Sequence, residues 1–163
     1  MSTIHPSLIV LLDLEDEYKD FEKFFDSQLF RRYTNKDQCF HHISSRLNTS
    51  RLLHLFLPKS EHAIVETRLV TFNTIYYIYC IDKSSISAMQ DLYNVPMFVK
   101  IFHKRSLSTY LQQAAISHLI EQAERAQHQP DERDMALQTA FELSNALTYE
   151  LRQHMQEKIN AFV

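Results

Sequence analysis

Leu8 to Leu12 is an unbroken run of five apolar residues that ends at Asp13 and an acidic cluster, LIVLLDLED. A run this short, bounded by Pro6 before it and acids after it, reads as a strand buried on both faces. Such a strand sits inside a sheet covered by helices, and the loops at the carboxyl ends of those strands carry the site. The remaining chain must then supply neighbouring strands and the helices that cover them.

The same grammar repeats downstream. Asp13, Glu15, Asp16 and Glu17 crowd the start of a predicted helix over 13–29, with Tyr18, Phe21, Phe24, Phe25 and Leu29 on its apolar face. Residues 30–33 form a short strand with two arginines, suited to a sheet edge. Thr34 precedes Asp37 by three residues, a capping-box-like start for a helix over 36–47 that buries Cys39, Phe40 and Ile43. Asn48 to Ser50 is a turn, and 51–57, RLLHLFL, is a third strand stopped by Pro58. A helix over 61–72 carries Ile64, Val65, Leu69 and Val70. The fourth strand, 74–81, is β-branched and aromatic throughout; a helix over 86–93 and a fifth strand over 97–102 follow. From Ser106 the pattern is helical to the end, divided by Pro130, which suits the first turn of the second piece. These elements predict an α/β fold with a three-layer, flavodoxin-like arrangement. Its parallel five-stranded sheet has the order 2-1-3-4-5, and a long C-terminal helix is added to it. We place the α/β domain at 1–127 and a C-terminal helical extension, packing on it or on a second copy, at 128–163.

Composition narrows the chemistry. The chain has no glycine, where average usage would give about eleven. Loops that cradle phosphates need glycine where backbone approaches the ligand, so the Walker loop, the G-x-G-x-x-G turn and the G-x-S-x-G elbow are all absent. A net charge of −3 argues against nucleic acid or a polybasic membrane contact as partner. No apolar run approaches the length of a membrane span, and a cytoplasmic protein is expected. Cys39 and Cys80 are too few for a disulfide framework and lack the spacing of a zinc site.

Four strand ends carry a further pattern. Asp13, Glu15 and Asp16 follow the first strand, and the third ends HLFLP with His54 at its head. Cys80 closes the fourth, and the fifth reads VKIFHKRSL with Lys100 second. In this the chain resembles the receiver domain of two-component response regulators, over about residues 7–115. Receivers carry an acidic pair after the first strand, a phospho-accepting Asp in D-L-x-L-P, Ser or Thr ending the fourth strand, and Lys in V-K-P-F-x-x-x-x-L. The resemblance puts His54 at the acceptor position, Cys80 near the Ser/Thr position and Lys100 at the lysine, with Ile101 in place of proline. It therefore implies a degenerate receiver site, because an acyl phosphate needs a carboxylate that histidine cannot supply. The segments YTNKDQCFHHI and IYYIYC also resemble the receiver-like module at the amino end of metazoan multidomain proteins. Those carry ADP-ribosyltransferase or tetratricopeptide repeat regions downstream.

Each candidate has a plainer reading beside it. Asp13, Glu15 and Asp16 could hold a divalent ion or simply start a helix. His54 could join Asp13 and Lys100 in a polar cluster, or be a strand histidine bonded to a neighbour. Lys100 is expected to survive as a structural ion pair with Asp13. Cys39 with His41 and His42 cannot ligate from one helix face, and a buried structural role suits Cys80. No metal or cofactor is expected.

Two classes of function follow. The first is a non-catalytic pseudo-receiver serving as a protein–protein interaction or dimerisation module in signalling, with a protein partner or itself. The second is a small flavodoxin-like enzyme or ligand sensor, a degenerate hydrolase or Toll-type NADase, using the carboxyl edge of the sheet. The first is preferred, because no nucleophile with a base and an orienter is recognisable. Its expected interface is the last helix, through Leu137, Phe141, Leu147, Leu151, Met155 and Ile159, which with Ser144 and Phe162 recur at steps of three and four.

Overall fold

The structure, a computed structural model, describes residues 8–24, 30–45, 52–65, 74–93 and 99–161. The expected roles of Phe25, Leu29, Leu69, Val70, the turn at 48–50 and the start of the fifth strand at Met97 fall outside these residues.

Five strands form one parallel sheet: β1 (Leu8–Leu12), β2 (Phe30–Tyr33), β3 (Leu53–Pro58), β4 (Thr74–Cys80) and β5 (Val99–His103). Their order is β2-β1-β3-β4-β5, the flavodoxin-like arrangement, with helices on the flanks and a long helix at the C-terminal end. The centre of the sheet is apolar on both faces. Val10, Leu11, Leu12, Leu55, Phe56 and Leu57 are all 0% exposed, so neighbours on both faces of β1 and β3 see no water. One face, with Val10, Leu12, Leu55, Leu57 and Tyr76, packs against Cys39 and Ile43 of α1 (Lys36–Ser45) and against Ile64. Ile78 and Cys80 on that face pack with Met89 of α2 (Lys83–Leu92).

Four local expectations are corrected. The helix over 13–29 does not form at its start. Residues 13–18 instead fold around the Asp13 carboxylate, Asp16 takes a left-handed backbone (φ 55°), and among the described residues a 3-10 helix, Lys19–Phe24, follows. Asp is among the few residues that tolerate this conformation, and adopting it there breaks the helix. The cap of α1 is Asn35, not Thr34: its side-chain oxygen accepts from Asp37 N at 2.8 Å and Gln38 N at 3.2 Å. Likewise α2 starts earlier than expected, at Lys83, because Asp82 accepts from Ser85 N at 2.7 Å and caps it. The expected helix over 61–72 begins as a 3-10 helix, Lys59–Val65.

The chain separates into two compact units, Met1–Leu107 and Ser108–Val163. The second holds nearly all of α3 (Leu107–Arg125) and the whole of α4 (Pro130–Ala161), with Pro130 opening α4 as expected. They fold back on one another as a hairpin, and Gln112 Nε2 donates to both carboxylate oxygens of Glu150 at 3.1 and 3.2 Å. Leu111, Ala115, Leu119 and Ala123 of α3 are buried, as are Ala136, Ala140, Leu143 and Leu147 of α4. The expected apolar stripe of α4 is therefore not its buried face. Of that set only Leu147 is buried; Leu137, Phe141, Leu151, Met155 and Ile159 are exposed. The buried face thus carries the small side chains Ala136 and Ala140 beside two leucines, and the bulkier Phe141 and Met155 stay outside. No helix among the described residues is long and apolar enough to cross a membrane.

Candidate functional site

A cleft of about 530 Å³ opens at the carboxyl edge of the sheet, lined by Asp13, Glu15, Lys59, His62, Tyr79, Asp82 and Lys104 among others. β1 ends at its floor. Asp13, 2% exposed, accepts from Glu17 N through Oδ1 at 3.0 Å and from Tyr18 N through Oδ2 at 2.9 Å. Its own backbone N–H donates to Tyr33 C=O at 2.7 Å, continuing the β1–β2 ladder. Tyr79, buried at the end of β4, donates its hydroxyl to Leu12 C=O at 2.6 Å, and burial pushes its ionisation upward.

Two basic residues bridge the acids. Strand alternation puts Phe30 and Arg32 on the same side of β2, and Arg32 lies beside the end of β1. Its Nη1 donates to Asp13 Oδ2 at 3.1 Å and to Asp16, while its Nε donates to Glu22 Oε1 at 2.9 Å. The Arg32 side chain is only 9% exposed. Lys104 follows β5 and donates to Glu15 at 2.9 Å and Glu17 at 3.2 Å, holding the Glu15 carboxyl below its ordinary value. Neither Arg32 nor Lys104 belonged to the expected site. The sequence signal for Arg32 was its position two residues after inward-facing Phe30, in a strand expected at the edge.

The expected members divide. Asp13 and Glu15 line the cleft, and Asp16 joins them through Arg32. Cys80 ends β4 but is buried against Ile78 and Met89 and does not line the cleft; burial raises its thiol pKa. His54 and Lys100 are not at this edge. His54 pairs with Ile9 and Ile75 near the amino end of the strands, whereas the carboxyl end of β3 is Leu57 and Pro58. Its Nδ1 shares a 2.9 Å hydrogen bond with the Tyr77 hydroxyl. Burial, and then the charge of Lys100, lowers its pKa to about 4. Lys100 pairs in register with Tyr77, and its Nζ lies 5.3 Å from that ring's centroid, a cation–π contact. The expected Asp13–Lys100 ion pair is thus replaced by Asp13–Arg32.

Chemically, the edge offers little that is unspent. Asp13 accepts three hydrogen bonds, Tyr79 is committed to a carbonyl, and Lys59 donates to Ser85 Oγ at 2.8 Å. His62 and Tyr93 bond each other at 2.8 Å. Among the described residues no group of three His, Cys, Asp or Glu converges to hold a metal ion. Asp13 and Asp16 do not fit the divalent ion that their sequence pattern with Glu15 left open. Mg²⁺ demands near-octahedral oxygen ligands, and a guanidinium already occupies the space between these acids. The chain matches no protein-family model, no curated protein and no solved structure.

Proposed function

We propose that the chain is a pseudo-receiver: a receiver-like scaffold without phosphoryl chemistry, acting as a protein-interaction module in signalling. The observation that carries this is Arg32. A guanidinium is always charged and presents five donors in a fixed fork, so it can bridge Asp13, Asp16 and Glu22 as a permanent internal cation. A metal-dependent site must exchange its cation with solvent; this one holds it covalently. Two further features agree. β3 ends in Leu57 and Pro58, which supply no carboxylate nucleophile, and Lys104 is spent on Glu15 and Glu17.

The test is incubation with acetyl phosphate and Mg²⁺, read by intact mass, beside a melting-temperature screen with Mg²⁺, nucleotides and NAD. No phosphoryl adduct and no thermal response are expected. A ligand at 100 times its Kd would stabilise by about 2.7 kcal/mol, well within detection. A labile phosphoryl adduct on this chain overturns the reading.

A further inference from the structure

α4 shows two faces. One is buried in the α3–α4 unit through Ala136, Ala140, Leu143 and Leu147. The other carries Asp134, Leu137, Phe141, Ser144, Thr148, Leu151, Met155 and Lys158, all exposed. These eight positions alternate steps of three and four without a break, the spacing of a coiled-coil seam. Seven of the twelve large apolar side chains exposed among the described residues lie on α4, and four of them on this seam. Phe141 and Met155 are each 62% exposed, so the chain's own fold leaves the apolar positions of the seam uncovered, while Asp134 accepts from Arg133 Nε at 3.2 Å.

The order of chemistry along the seam selects what covers it. Read inward from either end, it is one charge, two apolar layers and one small hydroxyl. A two-fold axis at the level of residue 146 therefore sets Asp134 against Lys158 of a second copy, Leu137 against Met155, Phe141 against Leu151, and Ser144 against Thr148. Every layer meets its complement: acid with base, apolar with apolar, hydroxyl with hydroxyl. The Thr148 hydroxyl already donates to Ser144 C=O at 2.8 Å within its own helix, so it enters the contact satisfied. Parallel pairing would set each position against itself, putting Asp134 on Asp134 and Lys158 on Lys158. From 134 to 158 the seam runs about 36 Å, and an isologous two-fold contact closes on itself.

We infer that α4 is a homodimerisation helix, and that two copies of this chain pair antiparallel through the 134–158 seam. This rests on the reading of the chain as an interaction module and names its partner as itself. The expected result is a mass of twice the 19.4 kDa chain by light scattering of the full chain at tens of micromolar. Phe141→Glu or Met155→Glu should give a monomer with unchanged helicity, since both residues are exposed. Asp134→Lys should weaken the dimer about tenfold, and Asp134→Lys with Lys158→Asp should restore it. For register, Leu137→Cys with Met155→Cys should cross-link under mild oxidation, the native Cys39 and Cys80 being buried. Leu137→Cys alone should not, because the two copies of residue 137 would sit about 27 Å apart along the axis. A monomeric full chain, a dimer that survives Phe141→Glu, or cross-linking through Leu137→Cys alone overturns the proposal. A monomer that also takes no phosphoryl group would remove only the self-pairing and leave the pseudo-receiver reading standing.

Discussion

Replacing Arg32 by methionine keeps most of the side chain's apolar stem and removes the cation. The consequence falls on Asp13, whose carboxylate is 2% exposed and would keep its two backbone N–H donors but lose its counter-charge. Breaking a buried ion pair by deleting one partner costs about 3–5 kcal/mol. Asp16 and Glu22 are 61% and 47% exposed, so water screens them and they add little. The expected loss is therefore about 3 kcal/mol, which for a chain of this length lowers the melting temperature by roughly 6–12 °C. Circular dichroism melts of wild type, Arg32→Met, Asp13→Asn and the double variant measure it as a cycle. The double variant should recover much of the loss, because the stranded charge has gone. Removing the guanidinium also frees the space between three carboxylates. Millimolar Mg²⁺ or Ca²⁺ should then raise the melting temperature of Arg32→Met while leaving wild type unmoved. If Arg32→Met melts within a degree or two of wild type, or if wild type itself responds to Mg²⁺, the internal-cation argument is wrong.

Two further outcomes are expected. The His54 pKa falls to about 4 in the fold from an ordinary 6.5, so the unfolded chain binds the extra proton. Stability from this site is intact above pH 6.5 and is lost between 6.5 and 4, by about 3 kcal/mol; His54→Phe should flatten that part of a urea-unfolding pH profile relative to wild type. Tyr79→Phe removes the hydroxyl bonded to Leu12 C=O and leaves that buried carbonyl without this donor. It should cost about 1–3 kcal/mol in chemical denaturation without altering oligomeric state.

The sheet was legible because its central strands are continuous apolar runs, a signal that survives without any knowledge of side-chain partners. The edge was less so. Both residues misplaced by the receiver pattern, His54 and Lys100, lie four positions before those found at the carboxyl edge, Pro58 and Lys104. A short motif inside a longer strand fixes which residues alternate faces but not how far the strand runs on before it ends. The start of helix 13–29 failed for a different reason. Acids that suit a helix start equally suit a loop whose backbone N–H groups are gathered by one carboxylate, and Asp13 does the second. On α4 the stripe was visible, but apolarity alone ranks Phe141 above Ala140, and it is Ala140 that is buried.

These two features bear on each other. A receiver-type edge switches because charge arrives and leaves; Asp13, Asp16 and Glu22 here face a charge that never leaves. On the proposed reading the α/β unit then has no local event with which to change state. Control must come from outside the edge, and a self-complementary helix provides one route, since the dimer fraction follows chain concentration by mass action. The dependence is testable in sign: conditions that concentrate the chain should favour the paired α4 seam, and nothing added at the carboxyl edge should shift that equilibrium. A ligand that bound the cleft and changed the dimer constant would couple the edge to α4, and would make the cleft a working site rather than a closed one.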